Sequence, residues 1–469
     1  MNSRFLKKTI IYIIGNFSSK ILTALLIPIY AYFVSADDLG NYDYIVALMN
    51  IIIPVVFFNM WDSILKYAIN NNNKNILKSI YTNVFFIVII NILIFICIYL
   101  TIYRFGIISY PSFKLSIVMM LSYGLINIWQ YSCRAFQQNL TYAISGVVSS
   151  LVNLIMILIL VVGFKLGLNG LIYSYIISMT VAILLIEFKI KLFSYFDYKY
   201  LDFQLLKKMC KFSAPIVLNT ISLWGMSGIS KIICVNYLNA SANGIFSFAT
   251  KFGSIITVFG SIIGAVIIEE AYLVNDLDEY RIRFSKLINE IFSIYIIILW
   301  IAIPAINIIF DILWINNVYY PSKMIIPVIT LSAVFSSVST NFGSAFQVTD
   351  KTSYVFITSL IGSIISIIFS ILFVNSIGVL GIAFGQLMGN LALIISRALF
   401  AYKLTKLNIE WKNQIIKITL FILIAIFSYR VTLIYNFILL LICSVIILML
   451  YKKQIKTVLK KIFRVTNIK

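Results

Sequence analysis

Long runs of apolar residues recur along the whole chain and determine its architecture. Runs such as 10–34 and 291–310 are long enough to cross about 30 Å of hydrocarbon as a helix. Residues 87–94 show none of the polar–apolar alternation that a membrane β-strand requires. Because backbone polar groups in lipid must be satisfied internally, this pattern predicts an all-α integral membrane protein.

The apolar runs predict about fourteen transmembrane helices of roughly twenty residues each. They lie near residues 10–34, 42–61, 79–103, 114–135, 142–164, 168–189, 211–235, 244–268, 287–310, 323–348, 353–374, 378–402, 413–431 and 433–451. A polar, basic stretch separates the sixth helix from the seventh, and a basic tail follows the last. The outer loops are short, so no extracytoplasmic domain is expected.

Basic residues mark one side of this arrangement. With the N-terminus inside, the inner connections hold most of the Lys and Arg residues of the loops. The outer connections hold only Arg104, Lys114, Lys165, Lys323 and Arg430. Because Lys and Arg are retained on the cytoplasmic side of membrane proteins, this distribution predicts that both termini are cytoplasmic.

Composition agrees with a membrane protein and excludes several kinds of site. Hydrophobic residues make up 61% of the sequence and charged residues 11%, too few charges to cover a soluble surface of this size. The net charge of +21 follows from the loops and tail, so it reflects topology and not nucleic-acid binding. The chain has no histidine, which removes Ser-His-Asp triads and most zinc sites. We expect no catalytic residue, metal site or cofactor.

The two halves of the chain share short matches in the same order. Arg-Ala-Phe-Gln at 134–137 corresponds to Ser-Ala-Phe-Gln at 344–347, about 210 residues later. Residues 168–173 correspond to 379–384 at almost the same separation. Matches in a common order predict a duplication of six helices. Because six is even, both halves have the same orientation, as parallel repeats do.

A further match pairs Gly40 with Gly244 at a shorter separation. The duplication predicts an N-terminal six-helix bundle at 1–209 and a C-terminal six-helix bundle at 210–406. An additional helix pair and a basic cytoplasmic tail occupy 407–469. Two facing bundles of this kind enclose a central cavity that can open to either side.

Rare basic residues lie inside the predicted helices. Lys20 is near the middle of the first helix, and Lys231 holds the equivalent position in the seventh. A lysine at the bilayer centre costs about 2.5–3.5 kcal/mol, so it usually faces a bundle interior or a cavity. Lys251 is about two turns into its helix, whereas Arg397 and Lys417 are near helix ends, where snorkelling to the interface is the simpler expectation. Lys20, Lys231, Lys251 and Arg397 are the predicted basic lining.

Acidic residues within the spans are scarce. Glu187, Glu269, Glu270, Glu290, Asp311 and Asp350 all lie near predicted helix ends, where solvated or capping roles are usual. We therefore expect the deep lysines to lack carboxylate partners and the cavity to be net cationic. Such a cavity favours an anionic, phosphate-bearing substrate and suits a cationic drug poorly.

Deep aromatic and amide side chains are candidate sugar contacts, by stacking and by hydrogen bonding. They are Tyr123, Trp129, Trp224, Asn219, Asn341 and Gln347. Packing in the helix core is the alternative role for each of them.

Several of these segments resemble one family. Residues 16–22 (Asn-Phe-Ser-Ser-Lys-Ile-Leu) and 39–42 (Leu-Gly-Asn-Tyr) look like the start of polysaccharide flippases. Residues 211–215 (Lys-Phe-Ser-Ala-Pro) and 243–249 agree, as does the Ala-Phe-Gln element. These flippases are the O-antigen and capsule repeat-unit translocases of the multidrug/oligosaccharidyl-lipid/polysaccharide exporter superfamily. The resemblance covers essentially the whole chain, although its motifs are degenerate.

The resemblance implies a V-shaped pair of bundles that works by alternating access in the bacterial cytoplasmic membrane. The implied substrate is an undecaprenyl-diphosphate-linked oligosaccharide repeat unit, moved from the cytoplasmic to the outer leaflet for O-antigen or capsule synthesis. Membrane lipids, a polysaccharide polymerase and a chain-length regulator are the implied partners. Coupling to an H⁺ or Na⁺ gradient is the family expectation, and no motif identifies the ion.

Two alternatives remain open from the residues. A membrane-embedded sugar polymerase would need a large extracytoplasmic loop with acid, base or arginine residues, and none is predicted. An ion-coupled exporter of small molecules or drugs would favour deep acids over deep lysines. The distribution of charge therefore favours a flippase for an anionic lipid-linked glycan, which is not an enzyme.

Overall fold

The computed structural model describes residues 25–466, apart from residues 70, 72, 107–109, 272, 273, 275, 276, 350 and 352. Regular structure in these residues is helical throughout. The helices are α1 Leu26–Phe33, α2 Ala36–Val56, α3 Met60–Ala68, α4 Lys74–Arg104, α5 Phe113–Ala135, α6 Asn139–Ile157, α7 Gly167–Ile190, α8 Phe203–Tyr237, α9 Ala240–Ala271, α10 Leu277–Leu313, α11 Ser322–Asn341, α12 Gly343–Val348, α13 Ser353–Ile377, α14 Val379–Thr405, α15 Trp411–Arg430 and α16 Leu433–Thr466. A π-helical turn, Leu158–Gly163, extends α6, and two short 3₁₀ turns, Leu192–Tyr195 and Tyr198–Tyr200, lie between α7 and α8.

The prediction of an all-α membrane protein is confirmed, whereas the count of fourteen spans is not. In the described residues, 10 helices are long and apolar enough to cross a membrane, or 11 if the bent α8 counts as one span. The more polar helix α5 has 23 residues, and α16 contains a shorter apolar stretch, Leu433–Met449. Residues 10–24 of the first predicted span lie outside the described residues, and α1 belongs to its described end.

The chain divides into two compact units. The first unit contains the described residues up to Lys251, together with Phe356–Gly389. The second contains Phe252–Val355 and the described chain from Asn390 onward. The bundle boundaries near 209/210 and 406/407 stay a prediction, because these units follow packing and not the order of the repeats.

The predicted second span is interrupted within the first unit. Helix α2 ends at Val56, and Phe58 and Asn59 adopt left-handed backbone conformations before α3 begins. Helix α8 secures this break: Ser213 Oγ donates to the Asn59 carbonyl at 3.3 Å, and Asn59 Nδ2 donates to Thr220 Oγ1 at 3.2 Å. Polar groups freed by the interruption thus find partners inside the protein, as an apolar environment requires.

Helix α8 bends by 48° between Ser222 and Trp224. Ser363 Oγ of α13 donates to the Ser222 carbonyl at 2.8 Å, the acceptor that the helix would otherwise use itself. The Ser363 side chain also lies 3.2 Å from where a Cβ on Gly225 would stand. An inserted side chain and a glycine are recognised causes of sharp bends, so this contact accounts for the bend.

Helices α2 and α9 cross in the first unit at Gly40 and Gly244, the two glycines matched in the sequence. A Cβ on Gly40 would stand 1.8 Å from the Ala240 carbonyl oxygen, and one on Gly244 would stand 1.9 Å from the Ala36 carbonyl oxygen. Asn243 Nδ2 donates to the Gly40 carbonyl at 2.7 Å. Small residues let two backbones approach this closely in membranes, so the match between Gly40 and Gly244 marks a reciprocal contact.

The basic stretch between the predicted bundles is tied to helix α4. Thr82 Oγ1 donates to the Asp197 carbonyl and accepts from the Asp197 N–H, both at 3.1 Å. Lys78 Nζ lies 3.3 Å from Asp197 Oδ2, and the Asp202 N–H donates to Asn83 Oδ1 at 3.2 Å. Asp202 then caps α8 by accepting from the first N–H groups of that helix. The connection is therefore an ordered part of the first unit.

A polar ladder joins α15 to α10 in the second unit. Gln414 Nε2 donates to the Asn289 carbonyl and to Ser293 Oγ, both at 3.1 Å. Lys417 Nζ donates to Ser293 Oγ at 2.6 Å, and Asn307 Nδ2 donates to Ser428 Oγ at 2.7 Å. Interhelical hydrogen bonds of this kind hold membrane helices in a fixed register. The first helix of the predicted C-terminal pair is thus specifically docked.

Lys323, one of the few basic residues predicted on the outer side, is neutralised. Its Nζ lies 2.5 Å from Asp311 Oδ1, and its side chain is only 5% exposed. Tyr320 also donates to Asp311 Oδ1, at 3.0 Å. Burial, followed by the Asp311 carboxylate, raises the pKa of Tyr320 to about 12. The charge of Lys323 is therefore compensated locally, so it is a weak exception to the predicted charge asymmetry.

Candidate functional site

Three ionisable side chains from three parts of the sequence meet inside the first unit. Asp43 Oδ2 lies 3.5 Å from Lys231 Nζ and 3.8 Å from Lys251 Nζ. The Asp43 side chain is 8% exposed, and the two lysines are 18% and 20% exposed. We call these residues the Asp43 cluster. Removing charges from water costs free energy, and the shared carboxylate offsets part of that cost for the two lysines.

Helix positions place the Asp43 cluster well inside its helices. Asp43 lies about 10 Å along α2 from Ala36, and Lys231 lies about 9 Å along α8 from Tyr237, at the usual helical rise. Lys251 approaches from α9, and its Nζ stands 4.8 Å above the centre of the Tyr30 ring. The ring adds a cation–π attraction without adding charge.

The expectation that the deep lysines lack carboxylate partners is wrong for Lys231 and Lys251, because Asp43 binds both. One carboxylate between two ammonium groups still leaves one net positive charge in the Asp43 cluster. The predicted spans did not single out Asp43, because it lies two turns inside α2 but at the very start of the predicted span 42–61.

The other predicted basic residues lie elsewhere. Lys20 is outside the described residues, so its predicted role in lining the cavity, as the repeat equivalent of Lys231, stays a prediction. Arg397 belongs to the second unit and is 5% exposed. Its Nη1 donates to the Ser339 carbonyl at 3.0 Å, so the guanidinium is buried in protein and does not snorkel to an interface. Lys417 takes part in the α10–α15 ladder.

Of the candidate sugar contacts, Trp129 is committed to the core. Its indole N–H donates to Glu187 Oε2 at 2.9 Å, and its ring packs edge-on against Phe85 and Phe193. Glu187 also accepts from the Leu192 N–H at 3.0 Å. Trp129 therefore helps to order the connection between α7 and α8, which is the packing role that the sequence left open.

Tyr123 and Asn219 are half-buried in the first unit, on α5 and α8. Trp224, at the bend of α8, donates its indole N–H to the Ala47 carbonyl at 2.7 Å. A Cβ on Gly228 would stand 2.0 Å from the Trp224 Nε1 atom, so glycine leaves the space for this ring. Trp224 thus joins α8 to α2, the helix that carries Asp43.

Asn341 and Gln347 lie in the second unit. The Asn341 side chain is buried, and neither its Oδ1 nor its Nδ2 has a hydrogen-bond partner among the residues that the structure describes. Its Oδ1 lies 3.5 Å from where a Cβ on Gly264 would stand. The backbone of Gln347 is in α12, and its side chain is outside the described part of the structure. The roles of these residues in sugar binding stay predictions.

The first unit therefore brings Lys231 and Lys251 together, and Trp224 bonds to the Ala47 carbonyl about one turn along α2 from Asp43. Among the described residues, no three His, Cys, Asp or Glu side chains come together as metal ligands. The arrangement offers charge and hydrogen bonds to a ligand.

Solved structures with a similar fold include a flippase and a multidrug transporter. The chain is similar to the lipid II flippase MurJ in an inward closed conformation, with 16% identity and a TM-score of 0.68 over 94% of this chain and 99% of that one. It is also similar to an inward-facing multidrug resistance MATE family transporter of the MOP superfamily, with 15% identity and a TM-score of 0.64 over 83% of this chain and 97% of that one. At such identities the likeness shows a shared fold.

A family model agrees with the resemblance found in the sequence. Among curated proteins, none matches this sequence significantly. The family model described as polysaccharide biosynthesis protein matches residues 5–268, which is more than half of the chain and includes Asp43, Lys231 and Lys251. The chain belongs to the polysaccharide biosynthesis protein family.

Proposed function

We propose that this protein is a flippase that moves an undecaprenyl-diphosphate-linked oligosaccharide repeat unit across the membrane by alternating access. The observation that carries the proposal is the Asp43 cluster, in which two half-buried lysines share one carboxylate. A cluster with one surplus positive charge attracts an anion, and a phosphate group supplies two or more acceptor oxygens for the ammonium groups.

The energetics favour a functional role for these lysines over a structural one. A charged residue within a membrane helix costs about 2.5–3.5 kcal/mol on insertion scales. Replacing a buried ion pair by apolar residues of similar volume is often neutral or stabilising, by about 1–4 kcal/mol. Stability of the first unit therefore does not require two lysines on one carboxylate. Binding of an anionic substrate explains why both are present.

The substrate class follows from the family and from the charge. Membership of a polysaccharide biosynthesis family favours a glycan cargo, and the fold shared with the lipid II flippase MurJ favours a lipid-linked one. A diphosphate between lipid and sugar is the group that the surplus positive charge would bind. We infer transport from the cytoplasmic to the outer leaflet of the bacterial inner membrane, with both termini cytoplasmic, for O-antigen or capsule synthesis.

The remaining parts of the proposal are its partners and its energy source. A polysaccharide polymerase and a chain-length regulator would use the delivered repeat units. An H⁺ or Na⁺ gradient would drive the cycle, and membrane lipids would surround the bundles. Lys20, placed by the repeat as the equivalent of Lys231, is proposed to bind the same anionic group.

The experiment is complementation of a flippase-null strain, combined with transport of a lipid-diphosphate-linked glycan into vesicles. We expect Lys231→Gln, Lys251→Gln and Lys20→Ala each to lower transport at least tenfold at native expression levels. Lys211→Gln is the matched control, because Lys211 lies on α8 with Lys231 but is exposed near the opposite end of the helix. Full activity of all three test variants would refute a role for these lysines in binding.

A second candidate is an ion-coupled exporter of small molecules, favoured by the fold shared with a MATE family transporter. Vesicle uptake of cationic dyes separates the two candidates. Gradient-driven dye transport without glycan transport would establish the exporter and reject the flippase. Glycan transport that cationic dyes neither use nor inhibit is the result that we expect.

A further inference from the structure

We propose that the second unit contains a separate binding site for a phosphate group, in a cleft between the start of α10 and the end of α14. The cleft has a volume of about 480 Å³ and is lined by Arg281, Ile282, Ser285, Tyr402, Lys406 and Asn408. These residues come from two segments more than a hundred residues apart in the sequence. We call this site the basic cleft.

Hydrogen bonds fix the shape of the basic cleft before any ligand binds. Helix α14 ends at Thr405, and Lys406 has a left-handed backbone conformation with φ of 56°, which redirects the chain. The Asn408 N–H then donates to Ser285 Oγ at 3.0 Å, and Asn289 Nδ2 donates to the Asn408 carbonyl at 3.0 Å. A preformed site loses less conformational entropy on binding, so this anchoring favours affinity.

The charge of the basic cleft is positive. Arg281 and Lys406 contribute a guanidinium and an ammonium group, and none of the six lining residues is acidic. Asp278 lies 3.5 Å from Arg281 Nη1, but the two side chains are 77% and 44% exposed, so solvent weakens that pair. Lys406 Nζ lies 5.3 Å from the centre of the Tyr402 ring, which leaves its N–H groups available to an anion. A planar guanidinium beside an ammonium group matches the oxygens of a phosphate.

The neutral lining residues refine the class of ligand. Asn408 has a side-chain amide and Tyr402 a hydroxyl group that can donate to further phosphate oxygens. Ile282 and Tyr402 are 66% and 52% exposed, so the basic cleft has an apolar edge beside its charges. The basic residues around it belong to loops predicted to be cytoplasmic. A phosphodiester headgroup of an anionic phospholipid in the inner leaflet fits these properties, and a soluble phosphate shares the same chemistry.

The experiment compares two double variants of the full chain with the same change in charge. Arg281→Gln with Lys406→Gln removes both cations of the basic cleft. Arg283→Gln with Lys403→Gln removes two exposed cations of the same helices that do not line it. Each protein is reconstituted in vesicles of phosphatidylcholine and phosphatidylglycerol. Native mass spectrometry then measures how much phosphatidylglycerol stays bound to the protein. In parallel, inorganic phosphate is titrated while the melting temperature is followed in neutral detergent.

We expect the cleft variant to lose at least fivefold in phosphatidylglycerol retention, and the control pair to stay within twofold of the unmodified protein. A loss of phosphate-induced stabilisation in the cleft variant, with equal lipid retention, would identify a soluble phosphate as the ligand. Equal behaviour of both double variants in both measurements, whether unchanged or equally reduced, would overturn the site. Transport activity is not the readout, so a failure here is distinguishable from a failure of the proposed flippase function.

Discussion

The carboxylate of Asp43 lies 3.5 Å from the ammonium group of Lys231, although 187 residues separate the two in the sequence. Lys251 approaches the same carboxylate oxygen at 3.8 Å. Asp43 is therefore the central residue of the Asp43 cluster. It joins Lys231 and Lys251, which the sequence presents as separate lysines, into one group of interacting charges.

Removal of the Asp43 carboxylate is therefore expected to destabilise the protein. Leaving a buried charge without its partner costs about 3–5 kcal/mol, and the partial exposure of both lysines reduces the expected loss for Asp43→Asn to about 1–3 kcal/mol. Thermal unfolding in detergent measures it. Adding Lys231→Met should recover part of the stability without recovering transport. Asp278→Asn removes an exposed acid and should change stability by less than about 0.5 kcal/mol, and an equal effect of both variants would contradict the argument.

Substitution of the glycine at the α2–α9 crossing is expected to be severe. A Cβ on Gly40 would stand 1.8 Å from the Ala240 carbonyl oxygen, so Gly40→Ala must separate two backbones. Overpacking of this kind costs about 1–3 kcal/mol or more. Gly146→Ala is the control, because a Cβ at that helical glycine meets nothing within 4 Å. It should stabilise α6 by about 0.5–1 kcal/mol, and melting temperatures that move in the same direction would show that the close crossing is wrong.

The α10–α15 ladder predicts that substitution of Gln414 lowers stability more than substitution of the neighbouring Asn413. Gln414→Leu removes the two hydrogen bonds that Nε2 donates to the Asn289 carbonyl and to Ser293 Oγ, at a cost of about 0.5–1.5 kcal/mol for each bond. Hydrogen exchange of α15 should become faster, whereas exposed Asn413→Leu should leave it unchanged. A double-mutant cycle with Ser293→Ala should give a coupling energy above about 0.5 kcal/mol. Additive effects would mean that the two side chains do not interact.

The connection between α7 and α8 is expected to loosen in acid. The N–H of Lys199, followed by the Lys78 ammonium group, lowers the pKa of Asp197 below its ordinary value of 3.8. Because the folded pKa is the lower one, this stabilisation is present above pH 3.8 and is lost as pH falls through the folded pKa. Hydrogen exchange over residues 191–202 measures the change.

The matched variant for this pH dependence is Asp197→Asn. It should exchange faster than the unmodified protein at pH 7, because its side chain cannot carry the charge that Lys78 pairs with. The difference between the two proteins should shrink as the pH falls through the folded pKa of Asp197, because the carboxylate is then protonated and neutral like the amide. A difference that persists in acid would assign the ordering of this connection to the Thr82 hydrogen bonds and to packing alone.

Much of the architecture could be predicted from the sequence, because a lipid environment restricts apolar spans to a few backbone structures. Apolar runs of about twenty residues can satisfy their backbone only as helices, so α4, α7 and α13 lie close to the predicted spans. The interruption at Phe58 and Asn59 could not be predicted in this way. It depends on hydrogen bonds from α8, more than 150 residues away, that replace those lost where α2 ends.

The same distinction between local sequence and tertiary packing applies to the candidate site. The sequence by itself singled out Lys231 and Lys251, because the cost of a charge in hydrocarbon depends only on position within a span. It could not supply Asp43 as their partner, since a pairwise interaction depends on which helices pack together. It also could not show that Trp129 serves packing, or that Arg281 and Lys406 share a cleft. Local chemistry determined which residues were unusual, and only the packing of distant helices decided what each of them contacts.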